Sequence, residues 1–304
     1  MTNAMILCAG LGTRLRPLTN ELPKPLVWLG DRPALAHIID RLARGGVDGV
    51  VINTHHLANK FDRATLASMP LAVRVVHEPH IRGTAGGVAG AAEALGPGDV
   101  IVWNGDIVAD VDITALRNSY ERETTSGAIA VLAVVPRHAK GEGTVGLGAD
   151  GRVVRLRGEV FGEEAGSADY VGVQMIGASL RSRLPEEGCF MADVYLPALR
   201  RGERIATTAV ATRFTDLGTV DTYLEENLRW LRGSGANAYV GPGAAVDTSV
   251  TVVGSIVGAS ATVRGQGELR DVVVWPGATV TAPLARAVVM TNGDVVPTGS
   301  TSPR

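Results

Sequence analysis

Between Ala4 and Asp106 the chain alternates short apolar runs with amphipathic stretches, and this alternation restricts the fold more than any other feature. Ala4 to Ala9, Val50 to Asn53, Ala72 to His77 and Val100 to Trp103 each read as a strand. An unbroken apolar run marks a strand buried on both faces, as in the centre of a parallel sheet. Leu35, Ile38, Ile39 and Leu42 recur at i, i+3, i+4 and i+7, the spacing of an amphipathic helix. Pro33 suits its first turn, and Gly45-Gly46 suits its stop. Ala58 to Met69 and the small-residue stretch Thr84 to Leu95 read as two more helices. Strands alternating with helices imply parallel pairing and right-handed crossovers. The expected fold class is α/β, a Rossmann-like, mostly parallel sheet with helices on both faces. Ligands on such a sheet bind beyond the carboxyl ends of its strands.

From Gly127 the pattern changes. Ala128 to Val135, Arg152 to Arg157 and Tyr170 to Ile176 are strand-like with no clear helices between them, so they read as an insertion beside the first sheet. Met191 to Leu199 looks helical and Ile205 to Phe214 extended. Val220, Tyr223, Leu224, Leu228 and Leu231 form a helical stripe, ended by Gly233 and Gly235. Beyond it Val240, Val246 and Val252 are six apart, as are Val257, Val263 and Leu269, and then Val274 and Val280. Hexads with small residues between them read as a short left-handed β-helix, interrupted after Val252 and Leu269. A β-sandwich fragment is the alternative. The expected organisation is a domain over 1–235, a hexad coil over 236–290, and a flexible tail over 291–304.

Bulk properties exclude several classes. The net charge is −2 and the pI about 6.3, unlike a general nucleic-acid binder. Two cysteines, Cys8 and Cys189, do not make a disulfide framework. No apolar stretch approaches the ~20 residues of a membrane span, and no basic segment precedes an apolar run at the amino terminus. A cytoplasmic protein with no membrane partner is expected.

The chemistry concentrates in Ile6 to Leu26, ILCAGLGTRLRPLTNELPKPL. An apolar strand runs into a glycine loop, then a basic run, with Lys24 held between two prolines. Gly10 and Gly12 remove Cβ atoms where backbone must approach a bulky ligand. Amides in such a loop can point at phosphate oxygens, and Arg14, Arg16 and Lys24 add cations. The layout is that of a polyphosphate site. It is not a Walker loop, because no G-x-x-x-x-G-K-[ST] string occurs. Nor is it the dinucleotide fingerprint, since Leu15 stands where a third Gly is needed. Gly146-x-Gly148-x-x-Gly151 and Gly141-x-Gly143-x-x-Gly146 match that fingerprint, but no plausible helix follows either.

AGLGTRLRPLT followed by PKPL closely resembles the signature of the sugar-1-phosphate nucleotidylyltransferases, particularly the mannose-1-phosphate guanylyltransferase-like members. The resemblance covers roughly residues 4 to 232, and hexad tails occur in several branches of that family. It implies that Ala9, Gly10, Gly12 and Thr13 hold the nucleotide. It implies further that Arg14 meets the distal phosphates and that Lys24 lies near the reacting ones. Glu78 stands where the family places its base reader, ahead of Gly83-Thr84-Ala85-Gly86, whose Gly83 resembles the glycine under the base. A carboxylate accepts hydrogen bonds, and guanine offers two donors on one edge, which favours GTP. Asp106, in Asn104-Gly105-Asp106, and the distant Asp216 are the pair to which the resemblance assigns Mg²⁺. Asn104, Gly146 and Gly172 fall at positions implied to face the sugar. The family's E-K-P string, whose Lys binds the sugar phosphate, is replaced by Arg157-Gly158-Glu159-Val160, leaving Arg157 and Glu159 as stand-ins. Asp110-x-Asp112 is a rival metal motif, but Asp112 reads as the N-cap of the helix holding Leu116. His55 and His56 follow a strand and read as ordinary loop residues.

These residues imply transfer of a nucleoside monophosphate from a triphosphate to a sugar 1-phosphate, with GTP and mannose 1-phosphate or a related sugar the first expectation. A uridylyl- or thymidylyltransferase is the alternative. A non-catalytic regulatory subunit that binds nucleotide sugar should have lost its charged residues, yet Arg14, Lys24, Asp106 and Asp216 are present. An acyltransferase built on the hexads would need a catalytic base, usually His, and no His follows His138. A homo-oligomer assembled through the coil is also expected.

Overall fold

The computed structural model describes residues 3–299. Two compact units divide the chain. One combines Met1–Leu11 with Ala36–Phe214, and the other combines Gly12–Leu35 with Thr215–Arg304.

The first unit is built on a ten-stranded sheet. Its parallel nucleus runs in the order Val100–Asn104, Asn3–Leu7, Gly49–Thr54 and Val73–His77. Leu7 pairs with Asn53 on one side and Asn104 on the other, so three strands end level. The chain leaves Asn3–Leu7 toward Gly49–Thr54, then crosses back to place Val100–Asn104 on the opposite flank. That reversal between Asn3–Leu7 and Val100–Asn104 is a topological switch point, where an open α/β sheet forms its ligand crevice. Cys8 and Gly105 leave the sheet there, and Gly105 N–H donates to the Leu7 carbonyl at 3.0 Å.

Beyond Val100–Asn104 the sheet continues antiparallel through Gly166–Ile176, Val145–Leu147, Val153–Leu156 and Glu159–Val160. Ala128–Arg137 pairs antiparallel with Gly166–Ile176 and parallel with Arg204–Thr208. Met5, Val51, Val100 and Val102 pack on Ala85, Val88, Ala91, Leu95, Tyr195 and Leu199. The alternate residues Ala4, Ile6, Val50, Ile52, Ile101 and Trp103 are equally buried and project from the opposite face. Both faces are therefore covered, as unbroken apolar strands require.

Local chemistry breaks two expected helices, and Thr84 to Leu95 divides at Ala91 into Gly83–Gly90 and Ala92–Leu95. Ala58–Lys60 is a single 3₁₀ turn, and a separate helix Arg63–Ala67 begins where Asp62 accepts from Thr65 N–H at 2.8 Å. The run from Met191 starts as a π-helical segment, Phe190–Tyr195, before Leu196–Arg200 becomes α-helical. The expected cap does form, with Asp112 accepting from Ala115 N–H at 2.9 Å at the start of Ile113–Thr125.

In the second unit, Gly12–Leu35 supplies the turn Thr13–Leu15, the short helix Leu18–Glu21, the turn Lys24–Leu26 and the ribbon Trp28–Leu29/Arg32–Pro33. Helix Val220–Gly233 follows Thr219, whose hydroxyl accepts from Thr222 N–H at 3.2 Å. Then comes a seven-stranded sheet. Val240 pairs in parallel with Val257 and Val257 with Val274, while Val246 pairs with Val263 and Val263 with Val280. Val252 pairs with Leu269, and Leu269 with Leu284. The interruptions in the hexads are thus part of the repeat, two six-residue steps and one of five. Val257, Val263, Leu269, Val274 and Val280 form the buried stack inside.

The segment expected to be a flexible tail contains a strand. Val295–Pro297 pairs antiparallel with Ala287–Val289, adding ladder hydrogen bonds that a lack of hydrophobic period does not reveal. Residues 300–304 of that segment lie outside the described residues. Among the described residues no helix is long and apolar enough to cross a membrane.

Candidate active site

Three of the predicted charges meet in the second unit. Gly12 adopts φ +62°, and a Cβ there would lie 2.7 Å from the Thr19 methyl group. Thr19 is fully buried and donates its hydroxyl to the Gly12 carbonyl at 2.8 Å, closing the loop on the following helix. The turn Thr13–Leu15 then leaves Thr13 and Arg14 exposed. Pro23 sets an extended entry to the 3₁₀ turn at Lys24–Leu26. The Lys24 side chain is only 9% exposed, and its Nζ donates to Asp216 Oδ1 at 2.9 Å. Arg14 Nη2 donates to Asp216 Oδ2 at 3.1 Å. Each oxygen of one carboxylate is therefore held by a different cation. Arg14 is 68% exposed and Asp216 40%, so the cluster is reachable from solvent. Phosphate oxygens are acceptors of the kind that both a guanidinium and an ammonium bind through charge-assisted hydrogen bonds. Thr219, not Asp216, caps the next helix, which leaves Asp216 for the cations.

The first unit places its candidates at the switch point and along the antiparallel strands. Ala9 is buried, while Gly10 is exposed with no atom within 4 Å of where a Cβ would stand. Asn104 ends its strand half-buried, and a Cβ on Gly172 would lie 3.1 Å from Asn104 Nδ2. Asp106 lies close to Cys8, whose thiol is pushed well up by burial first and by the Asp106 charge second.

Glu78 is 2% exposed, and both of its oxygens are engaged. Asn53 Nδ2 donates to Oε1 at 2.8 Å, and Arg82 N–H donates to Oε2 at 3.2 Å. Asn53 Oδ1 in turn accepts from Cys8 N–H at 2.8 Å. One buried chain of hydrogen bonds thus joins the ends of Asn3–Leu7, Gly49–Thr54 and Val73–His77 to the start of helix Gly83–Gly90. Sequence reasoning missed Asn53. Its signal was a polar residue ending an apolar strand, beside a Gly87 whose Cβ would lie 2.6 Å from Asn53 Nδ2.

Gly83 and Thr84 face a neighbouring segment that the sequence did not bring forward. The Gly188 carbonyl accepts from Ala85 N–H at 2.9 Å and Gly86 N–H at 3.3 Å, and a Cβ on Gly83 would lie 2.5 Å from it. Thr84 Oγ1 accepts from Phe190 N–H at 2.9 Å. His55 Nδ1 lies 2.8 Å from the Glu78 carbonyl, a loop contact.

The remaining acceptor candidates are not brought to Asn104. Arg157 and Gly158 have φ of +50° and +85° and form the two-residue hairpin turn between Val153–Leu156 and Glu159–Val160. That hairpin is the far edge of the sheet, three to four strands from Val100–Asn104, or about 14–19 Å at ordinary strand spacing. Glu159 pairs with Arg200, whose Nε donates at 3.0 Å and holds the carboxyl below its usual range. Gly146 lies beneath the Arg155–Glu164 ion pair, with a Cβ position 2.6 Å from Glu164 Oε2. Asp110, half of the rival metal motif, is bonded by Arg41 and by Arg213 Nε at 2.8 Å.

The profile of the family described as Nucleotidyl transferase matches residues 3–232. A mannose-1-phosphate guanylyltransferase of Mycobacterium tuberculosis is 26% identical over 297 residues, covering 92% of this chain and 81% of that protein. An N-acetylmuramate alpha-1-phosphate uridylyltransferase of Caulobacter vibrioides is 32% identical over 195 residues, 60% of this chain and 78% of that protein. The crystal structure of HddC from Yersinia pseudotuberculosis complexed with GMP-PN superposes with a TM-score of 0.61 at 21% identity, covering 76% of this chain and all of that one.

Proposed function

The chain belongs to the nucleotidyl transferase family, and we propose that it transfers a nucleoside monophosphate from a triphosphate to a sugar 1-phosphate, releasing pyrophosphate. The observation that carries this reading is the grip of Lys24 and Arg14 on the two oxygens of Asp216, beside Gly12, whose Cβ position lies 3.5 Å from Lys24 Cβ. An attacking sugar phosphate oxygen is already anionic, so no general base is required. Catalysis is then positioning plus charge neutralisation. Lys24 stabilises charge at the reacting phosphates, and Arg14 draws on the departing pyrophosphate. Asn104 and Gly172 contribute to the sugar side.

The donor chemistry fits Mg²⁺. Among the described residues no group of three or more His, Cys, Asp or Glu converges. Mg²⁺ is commonly held by one or two carboxylates together with substrate phosphates and water, not by an all-protein cage. Asp106 and Asp216 are the carboxylates we assign to it. When bound, the ion would neutralise charge on the phosphates.

For the base we favour GTP, and for the sugar mannose 1-phosphate or a related hexose. The support is the extent of the likeness to the Mycobacterium guanylyltransferase, 92% of this chain. Glu78 contributes less than its residue type implied, because Asn53 and Arg82 already occupy its oxygens. The likeness to the Caulobacter uridylyltransferase supports a second reading, UTP with an amino-sugar phosphate. We also read residues 1–235 as the catalytic domain and 236–290 as a short left-handed β-helix through which copies associate. The proposed setting is the cytoplasm. A grid of nucleoside triphosphates against sugar 1-phosphates, read by pyrophosphate release, tests the function. Release with GTP and mannose 1-phosphate supports it, preference for UTP replaces the base assignment, and no release from any pair overturns the reading.

A further inference from the structure

We propose that the C-terminal coil holds the catalytic lysine in place, with Trp275, acting through Tyr223 and Asn227, a positioning residue for the Lys24–Asp216 pair. Trp275 is fully buried, and its Nε1–H donates to the Tyr223 hydroxyl at 2.8 Å. Tyr223 donates onward to the Trp28 carbonyl at 2.5 Å. Asn227, one helical turn further, donates to the same carbonyl at 3.3 Å and accepts from Gly30 N–H at 2.8 Å. Tyr223 and Asn227 are fully buried. Burial pushes the Tyr223 phenol well up, so it remains a neutral donor.

The same helix carries a third contact to this segment. Gly30 adopts φ +64°, and a Cβ there would lie 2.2 Å from the Trp230 ring. Trp230 meets Tyr239, at the start of the coil, edge-on with ring centroids 5.5 Å apart. Helix Val220–Gly233 therefore joins both parts of the pair. Asp216 lies three residues before its cap, Thr219. Lys24 lies four residues before Trp28, whose carbonyl receives two side-chain donors. A lysine side chain has many rotamers, so its ammonium is placed only as well as its backbone and surroundings are held. The catalytic meaning of that placement rests on the function proposed above, whereas the placement itself does not.

The chain contains three lysines, Lys24, Lys60 and Lys140, and the last two are exposed. An amine-reactive acetylating ester, followed by peptide mass spectrometry, therefore reads Lys24 against two internal references in the full-length protein. Trp275→Phe, which loses one buried hydrogen bond, should raise the relative labelling rate of Lys24 about fivefold to tenfold, and Tyr223→Phe, which loses two, by at least as much. They should also lower kcat more than they change KM. Val263→Ala, which opens a cavity in the coil stack, should lower Tm yet leave Lys24 labelling unchanged. Unchanged labelling in both Phe variants, or an equal rise in Val263→Ala, overturns the proposal. Wild-type protein that releases no pyrophosphate overturns the functional reading instead, and labelling still decides the positioning. Should one Phe variant fail to fold, the other carries the test. Should both fail, hydrogen exchange in the wild type decides it: equal rates at Gly30 N–H and the Trp275 indole support the link, and faster exchange at Gly30 overturns it.

Discussion

Lys24 Nζ lies 2.9 Å from Asp216 Oδ1, a hydrogen bond between residues 192 apart in sequence. The other carboxylate oxygen, Asp216 Oδ2, accepts from Arg14 Nη2 at 3.1 Å. A ligand with several phosphate oxygens competes with Asp216 for both cations. Lys24→Gln should therefore lower the rate of pyrophosphate release by about 10²–10³, the usual effect of deleting one preorganised donor. Lys24→Arg should not restore it, because a planar fork is not a compact point charge. Steady-state kinetics with a synthetic triphosphate substrate checks both, and near wild-type kcat in Lys24→Gln would remove this residue from the mechanism.

The carboxylates should reveal themselves through the metal. On the assignment proposed above, Asp106→Asn and Asp216→Asn would each remove one hard anionic ligand, so each should raise the Mg²⁺ concentration needed for half-maximal pyrophosphate release by about tenfold or more, on the scale of losing a charged contact. Mn²⁺ binding followed by electron paramagnetic resonance, with nucleotide present, measures the same loss without turnover. An unchanged metal requirement in Asp106→Asn would transfer the assignment elsewhere.

The parallel nucleus and the candidacy of Lys24 were legible because their signals are local, whereas the pairing of Lys24 with Asp216 was not. Leu35, Ile38, Ile39 and Leu42 state a helix within eight residues, and Lys24 between prolines states a held cation. The 17-residue offset between Val240, Val257 and Val274 was present in the hexads and their five-residue breaks. Long-range partnerships were not legible. Nothing near Glu78 says that Asn53 will bond it, and nothing near Gly83 says that Gly188 will fill its flank. Arg157-Gly158 was read as ligand chemistry because the residue type was considered before the turn, and the backbone gives both residues positive φ. Ile107–Val111 was missed as a strand because it follows Asp106 too closely to stand out as a separate element.

The Asn53 network makes a stability prediction. Asn53→Ala leaves Cys8 N–H and one Glu78 oxygen without their partners in a buried site. Each unpaired group costs about 1–3 kcal/mol, so the variant should lose several kcal/mol in urea unfolding. Glu78→Gln keeps the shape but turns one acceptor into a donor facing either Asn53 Nδ2 or Arg82 N–H. It should lose about 1–3 kcal/mol. Equal stability of wild type and Glu78→Gln would mean that the carboxylate is not committed to this network.

Gly30→Ala probes the contact between the Trp28–Leu29/Arg32–Pro33 ribbon and its helix. The new Cβ would fall 2.2 Å from the Trp230 ring, at a φ of +64° that alanine rarely adopts. Overpacking alone costs about 1–3 kcal/mol. A fall in Tm accompanied by altered Trp fluorescence is expected, and a variant as stable as wild type would show that the ribbon moves freely from Trp230.

Glu164 gives the acid limb of stability a named source. The Arg155 guanidinium beside it is the largest influence, followed by the Ser167 hydroxyl and Gly141 N–H, and together they lower its carboxyl from 4.5 to about 2. The folded state therefore prefers the ionised form more strongly than the unfolded chain does. This contribution is fully present above the unfolded value near 4.5 and fades as pH falls through about 2. An Arg–Glu pair near the outer strands of a sheet is worth on the order of 1 kcal/mol. Glu164→Gln should be less stable than wild type by that amount at pH 6, and the difference should shrink steadily between pH 4.5 and 2. Chemical denaturation across that range measures it. A gap that stays constant with pH would mean that Glu164 contributes packing over Gly146 and no titrating ion pair.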